Sequence, residues 1–279
     1  MPDSSNPAPS TAPKASGWSQ RTHAAIASLL HSPLEWIGRH NAGVLIALLM
    51  SILAVWAFVA LAYEVVAGET LSFDEWCLRA LRRADDPAKP IGPDWLSEVG
   101  RDLTALGGVV VLTLLTLTVV GFLILRKMYG AVYLVFVAAL GGLLMSTFLK
   151  SLFERPRPSL VPHLAQVYTS SFPSGHSMLS ATIYLTLGTL LARFVHQRTL
   201  KAYFLVVALT LTFLVGLSRV YMGVHYPTDV LAGWAAGLTW ALACWLVARF
   251  LQHRGAVETP AESIASDATD SLTRLSGKK

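Results

Sequence analysis

The sequence predicts an all-α protein, a polytopic membrane bundle of about six transmembrane helices. Hydrophobic residues make up 53% of the 279-residue chain and charged residues only 14%, and the mean hydropathy is +0.52. A soluble domain usually carries about 25% charged residues, so this deficit indicates that lipid is the main solvent. The apolar residues are also gathered into runs close to the roughly 20 residues that a bilayer crossing needs.

Six segments have the length and composition of membrane spans: 42–66, 103–125, 128–149, 176–195, 202–220 and 229–250. The first three are almost free of charged residues. Each of the last three has a polar residue at one end, His176, Arg219 or Asp229, which would be costly at the bilayer centre. We therefore expect these residues to lie near an interface or in a wet cavity, where chemistry is possible.

The predicted transmembrane domain, residues 42–250, is flanked by segments of different composition. Residues 1–20 are rich in Pro, Ser and Ala, which is typical of a disordered tail. Residues 21–41 mix apolar and polar side chains and predict a helix lying in the membrane interface. Residues 251–279 are polar and predict a second tail.

Loop charge predicts an orientation with both termini in the cytoplasm. The short loop with Arg126 and Lys127 and the loop around 193–201 are basic and contain no acid, whereas the long segment 67–102 mixes acids and bases. Positive loops favour the cytoplasmic side, so segment 67–102 should lie outside. The loop after the third span is also basic, and we expect its cations to have a role other than topology. Since the net charge of +5 is spread between apolar runs, we expect no nucleic-acid partner.

Three polar clusters interrupt the apolar pattern in the second half of the chain, at residues 150–158, 171–176 and 218–229. The third cluster lies two crossings after the second, so both should reach the same membrane face. Under the orientation given above, that is the outer face.

The residue types in these clusters suit phosphoryl transfer, which needs fixed cations and N–H donors around the phosphoryl oxygens. The candidate cations are Lys150, Arg157 and Arg219. Ser174 and Gly175 lead into a helix at about His176, and the free N–H groups at its start can bind an anion.

Two histidines complete the chemistry. His225 and Asp229 are four residues apart at the start of a predicted helix, so Asp229 can accept from one ring nitrogen and leave the other free to attack phosphorus. His176 is then the candidate acid for the leaving group.

The three clusters resemble the signature of the type 2 phosphatidic acid phosphatase superfamily, written Lys-x6-Arg-Pro, Pro-Ser-Gly-His and Ser-Arg-x5-His-x3-Asp. All three are complete and in order, within a resemblance covering about 42–250.

The phosphate ligands that the resemblance implies are Lys150, Arg157 and Arg219, helped by Ser174 and Gly175. The resemblance also implies that His225 attacks to give a phosphohistidine, that Asp229 orients it, and that His176 protonates the leaving oxygen and then activates water. It implies no metal or other cofactor. Arg155 has no place in these motifs and is interpreted as an anchor or supporting group.

The expected function is that of an acid-phosphatase-type hydrolase acting on a lipid phosphomonoester or on the terminal phosphate of a lipid diphosphate. The resemblance suggests undecaprenyl diphosphate, phosphatidic acid or phosphatidylglycerol phosphate as substrate. The partners are then the membrane and the lipid, in a bacterial inner membrane with the site facing the periplasm; the oligomeric state stays open. The alternatives are a phosphotransferase using the same site, a vanadium haloperoxidase-like enzyme, and a non-catalytic lipid transporter. The haloperoxidases are typically soluble, and the nucleophile and acid pair argues against the transporter.

Overall fold

The computed structural model describes residues 42–159 and 170–253, and all regular elements of these residues are helices. Their bounds are α1 Ala42–Ala67, α2 Leu71–Ala80, α3 Asp94–Leu106, α4 Val109–Leu125, α5 Tyr129–Phe153, α6 Gly175–Arg193, α7 Arg198–Tyr221 and α8 Pro227–His253. The predicted tails and the predicted interfacial helix at 21–41 lie outside the described residues. The contacts between helices described below lie within the described residues of the unit that begins at Ile46.

Four helices, α1, α5, α7 and α8, are long and apolar enough to cross a membrane. Helices α3 and α4 qualify together as a fifth candidate and are bent by 47° at the break between them. The predicted span 103–125 covers the last residues of α3 and all of α4, and the structure adds a break at Gly107 and Gly108 that the prediction did not contain. The chain is thus an integral-membrane helical protein with four or five candidate spans in its described part.

Helix α6 matches the predicted span 176–195 but is not among those candidates. It packs against α5, α7 and α8 and buries polar residues such as Ser180 and Thr182. The Thr182 hydroxyl donates to the Gly237 carbonyl at 3.3 Å, and the Thr212 hydroxyl donates to the Ser180 carbonyl at 3.5 Å. A helix enclosed by other helices can satisfy polar groups and does not need an apolar surface towards lipid. This explains why its hydropathy is lower than that of its neighbours.

Small residues allow α8 to lie directly against α6. A Cβ at Gly233 would lie 2.6 Å from the Ser174 carbonyl oxygen, and one at Gly237 would collide with the Met178 carbonyl oxygen. Such small residues are typical of close helix contacts in membrane proteins. The contact brings the first turns of α6 and α8 together, and these turns carry the second and third polar clusters.

The short helix α2 lies over the ends of α7 and α8. Its Leu78 is fully buried in a cluster with Val220, Tyr226 and Val230. Asp74, one turn earlier, is also fully buried. A carboxylate is rarely buried to this extent unless it is paired with another group, so Asp74 is expected to have a charged partner. Segment 67–102 therefore contributes a packed element, and not only a surface loop, to this end of the bundle.

Candidate active site

Four helix ends meet at one end of the bundle: the last turns of α5 and α7 and the first turns of α6 and α8. The segments that follow α5 and precede α6 are joined there, because the Ser171 amide donates to the Arg155 carbonyl at 2.9 Å. The Lys150 ammonium, in the last turn of α5, donates to the Ser170 carbonyl at 2.7 Å. The Ser174 amide donates to the Asp229 carbonyl at 2.9 Å and ties the start of α6 to the start of α8. The three polar clusters predicted to share a membrane face thus share one site.

His225 lies between a carboxylate and a guanidinium. Its Nδ1 is 3.4 Å from Asp229 Oδ2, and its Nε2 is 3.2 Å from Arg157 Nη1. An arginine can only donate hydrogen bonds, so Nε2 must be the acceptor and the ring proton must be on Nδ1, facing Asp229. This is the tautomer that leaves the Nε2 lone pair as a nucleophile.

The surroundings of His225 keep its ring neutral. Its side chain is buried, and this burial is the main cause that holds the pKa of His225 well below its ordinary value. The positive charges of Arg219, Arg157 and Lys150 lower the pKa further, while a hydrogen bond with the Ser171 backbone acts in the opposite direction. A neutral ring is the form that can attack phosphorus.

Three cations lie within electrostatic range of His225, namely Arg219, Arg157 and Lys150, and Arg157 contacts its Nε2. Arg157 also donates to the Val224 carbonyl at 2.7 Å, and burial lowers its pKa without removing its charge. Arg219 is 2% exposed, and its Nε makes no hydrogen bond to any residue in the described part of the chain. An unsatisfied buried donor costs about 1–3 kcal/mol, so this group is suited to an anion that would accept from it.

The first turn of α6 faces the same space. The Ser174 side chain is the N-cap and accepts from the Ser177 amide at 3.5 Å, and the Ser174 amide is already donated to Asp229. The first-turn amides left for an anion are therefore those of Gly175 and His176. A Cβ at Gly175 would lie 3.3 Å from the Lys150 side chain, which places the cation beside this turn.

His176 lies within electrostatic range of Arg219, His225, Lys150 and Arg157. Its backbone also borders the break between α3 and α4, since a Cβ at Gly107 would lie 3.3 Å from the His176 carbonyl oxygen. All eight residues predicted for the site thus lie where the four helix ends meet: Lys150, Arg157, Ser174, Gly175, His176, Arg219, His225 and Asp229.

A group of buried residues lies behind Asp229. The sequence interpretation left Arg155 as an anchor or supporting group and assigned no role to Asp74 or Thr228. Arg155 Nη1 donates to Asp229 Oδ1 at 2.6 Å, and its Nη2 donates to Asp74 Oδ2 at 2.8 Å. Thr228 also binds Asp74, through its hydroxyl at 2.6 Å and its amide at 3.1 Å. Arg155 is two positions from Arg157, which could have indicated a second buried cation. A role for Asp74 was harder to predict from the sequence, because 81 positions separate it from Arg155.

Comparison with known proteins gives the family. The model of the PAP2 superfamily matches residues 130–252. Phosphatidylglycerophosphatase B of Bacillus subtilis is 35% identical over 185 residues, which are 65% of this chain and 86% of that protein. A crystal structure described as a transmembrane PAP2 type phosphatidylglycerolphosphate phosphatase from Bacillus subtilis has a TM-score of 0.62 and 31% identity. It covers 70% of this chain and 94% of that one.

Two further relatives match over shorter stretches. The lipid A 1-phosphatase of Rhizobium johnstonii is 32% identical over 124 residues, 41% of this chain and 46% of that protein. The undecaprenyl-diphosphatase of Sulfolobus acidocaldarius is 40% identical over 67 residues, 24% of this chain and 28% of that protein. The chain belongs to the PAP2 superfamily and is an integral-membrane phosphatase of that type.

Proposed function

We propose that the chain is a lipid phosphatase that removes a phosphomonoester group, or the terminal phosphate of a lipid diphosphate, through a phosphohistidine at His225. The observation that carries this proposal is which group lies next to each ring nitrogen of His225. Nδ1 faces Asp229, and Nε2 faces Arg157 among three cations. A phosphoryl group bound by Arg157 would lie next to the nucleophilic atom.

In the first step the phosphoryl oxygens are bound by the three cations and by the amides of Gly175 and His176. His225 Nε2 forms a bond to phosphorus while the bond from phosphorus to the lipid oxygen breaks. His176 gives that oxygen a proton, so the lipid leaves as an alcohol or as the shorter phosphate. Asp229 accepts from the Nδ1–H and stabilises the positive charge that develops on the ring.

In the second step water attacks the same phosphorus. His176, now neutral, takes a proton from the water, and the bond between phosphorus and Nε2 breaks. Inorganic phosphate leaves, and both histidines return to their starting protonation states. The residues named here account for every proton in this cycle, and no metal ion takes part in the proposed route.

We propose that the lipid tail lies in an apolar cavity next to the site. This cavity of about 340 Å³ lies between α2, α7 and α8, and Trp76, Leu217, Pro227 and Trp234 are among its lining residues. Its lining offers no polar surface to solvent, which suits a hydrocarbon chain. The relatives carry names of enzymes for phosphatidylglycerol phosphate, lipid A and undecaprenyl diphosphate, so the candidate substrates are anionic lipids with a terminal phosphate.

We also propose that α6 crosses the membrane, which gives six crossings and places the site at the outer face of a bacterial inner membrane with both termini cytoplasmic. Support comes from the basic loops at 126–127 and 193–201, which follow α4 and α6 at the ends of those helices away from the site. Positive loops favour the cytoplasmic side.

The test is phosphate release by the purified protein from a panel of lipid mono- and diphosphates in detergent. We expect His225→Ala to lower kcat by at least roughly 1,000-fold, as removal of a nucleophile does. His196→Ala, which changes an exposed histidine, is the matched control and should keep full activity. Rapid quenching with labelled substrate should leave an acid-labile label on the wild type and none on His225→Ala. Equal phosphate release by wild type and His225→Ala would refute the proposal.

A further inference from the structure

The buried residues behind Asp229 form a continuous chain of hydrogen bonds from α2 to the proposed nucleophile. It runs from Asp74 to Arg155, from Arg155 to Asp229 Oδ1, and from Asp229 Oδ2 to His225 Nδ1. Asp74 and Asp229 are 0% exposed and Arg155 is 10% exposed, so water does little to screen these contacts. The chain connects a helix outside the three motifs to the reacting ring.

We propose that Asp74 is a positioning residue that acts on catalysis through Arg155 and Asp229. Its carboxylate fixes the Arg155 guanidinium, which in turn fixes the rotation of the Asp229 carboxylate, so that Oδ2 stays directed at His225 Nδ1. This inference rests on the proposed phosphatase function and adds to it a residue in α2.

Each atom of the Asp74 carboxylate has a defined partner. Oδ1 accepts from the Thr228 amide at 3.1 Å, and Oδ2 accepts from the Thr228 hydroxyl at 2.6 Å and from Arg155 at 2.8 Å. Arg155 Nη1 is also 2.9 Å from the Thr228 hydroxyl. Thr228 immediately precedes Asp229. Asp74 therefore binds both the Arg155 guanidinium and the backbone next to Asp229. The guanidinium is further held by the Tyr226 ring, 4.3 Å from its central carbon.

Charge makes this arrangement more than a packing contact. Burial alone would lower the pKa of Arg155, but the charges of Asp229 and Asp74 outweigh it and raise the pKa. Arg155 is therefore a permanent cation that partly offsets the charge of Asp229. Without Asp74, the guanidinium would be free to bind Asp229 more tightly, and Asp229 would then stabilise the positive imidazole of the phosphohistidine less well.

The variant Asp74→Asn tests this positioning role, because it removes the charge at nearly constant volume. We expect kcat to fall about 10- to 100-fold, the range found when a group that orients active-site residues from one contact further out is removed, with KM nearly unchanged. Glu75→Gln is the matched control. It removes the same charge from the next residue of α2, which pairs with the exposed Arg79 and not with Arg155, so its activity should equal that of the wild type.

A double-mutant cycle separates positioning from a structural role. Asp229→Asn already removes the group through which Asp74 acts. In that background Asp74→Asn should lower kcat by less than about threefold. Equal loss in both backgrounds, or loss that follows the apparent Tm, would show a structural role and overturn the proposal. If Asp74→Asn does not accumulate as folded protein, the double-mutant cycle can be measured with Thr228→Val in its place. That variant removes the hydroxyl that donates to Asp74.

The proposal and the proposed function fail in different ways. An active wild type, an inactive His225→Ala and an Asp74→Asn as active as Glu75→Gln would overturn the positioning role alone. A wild type that releases no phosphate from any lipid would overturn the phosphatase function, and the catalytic role of Asp74 would fall with it.

Discussion

At the scale of single residues, the site combines two requirements that usually conflict. A phosphate pocket needs several cations, and a histidine nucleophile must stay neutral among them. His225 meets both because burial and the neighbouring cations act in the same direction and hold its pKa well below the ordinary value. The cations proposed to bind the substrate would therefore also keep the proposed nucleophile unprotonated before the substrate arrives.

The lowered pKa of His225 predicts how stability depends on pH. The folded protein keeps the ring neutral, but the unfolded chain binds a proton below its ordinary pKa of about 6.5. The stability that depends on the neutral ring is therefore complete above pH 6.5 and is lost as the pH falls below it, by about 1.4 kcal/mol per pH unit. We expect the apparent Tm of the wild type in detergent to fall more steeply between pH 7.5 and 5.5 than that of His225→Gln.

His225→Gln is a suitable reference because glutamine can accept from Arg157 and does not titrate. Its curve contains the contributions of all other titrating groups, so the difference between the two curves reports His225. Parallel curves would contradict the prediction.

The motif residues could be predicted because Lys, Arg, His and Asp are costly within apolar segments and stand out from them. Arg155 and Asp74 could not be assigned in the same way. Each is a charged residue in a polar stretch of sequence, where charge is ordinary, and only the fold brings them within 2.8 Å. A partner at such a separation along the chain leaves no local pattern.

At the scale of helices, the break between α3 and α4 follows from close packing at the site. Gly107 ends α3 where Val215 of α7 and the backbone of His176 leave no room for a side chain. The Tyr184 hydroxyl donates to the Leu106 carbonyl at 2.8 Å, which satisfies a carbonyl left unpaired at the end of α3. Helix α3 is held along α7 by the Thr104 and Ser218 hydroxyls, which are 2.6 Å apart. The apolar run in this region hid the break from sequence analysis, since hydropathy does not respond to a change in helix direction.

Gly107→Ala should therefore disturb the site as well as the fold. Its methyl group would collide with Val215 and press on His176, and overpacking of this kind usually costs about 1–3 kcal/mol. We expect a lower apparent Tm together with a lower kcat, because His176 is the proposed proton donor.

Gly121→Ala provides the control within α4. A Cβ there meets nothing within 4 Å, and alanine is favoured over glycine in a helix by about 1 kcal/mol. This variant should keep its activity and equal or exceed the wild type in apparent Tm. A Gly107→Ala protein with wild-type activity and stability would show that the break tolerates a side chain.

At the scale of the whole molecule, the site is built from helix ends around an enclosed helix. Helix α6 contributes its first turn to the proposed phosphate site and is surrounded further along by α5, α7 and α8. Composition predicted the membrane bundle, because lipid-facing helices must be apolar. It could not settle the number of crossings, because a helix shielded from lipid can be as polar as α6 and still cross.

Labelling of single cysteines can decide both the orientation and the crossing by α6. Ala88 and Thr199 are exposed at opposite sides of the proposed topology, and three crossings, those of α3–α4, α5 and α6, separate them. In a background where Cys77 and Cys244 are changed to Ala, we expect Ala88→Cys to react with a membrane-impermeant maleimide in intact cells. Thr199→Cys should react only after the membrane is permeabilised.

Two other labelling patterns would each contradict a different part of the proposed topology. The reverse pattern would keep three crossings but place the site in the cytoplasm, contrary to the rule for basic loops. Reaction of both cysteines in intact cells would leave an even number of crossings between them. Since α3–α4 and α5 supply two, α6 would then enter and leave by the same face, and the first turn proposed to bind phosphate would belong to a re-entrant helix.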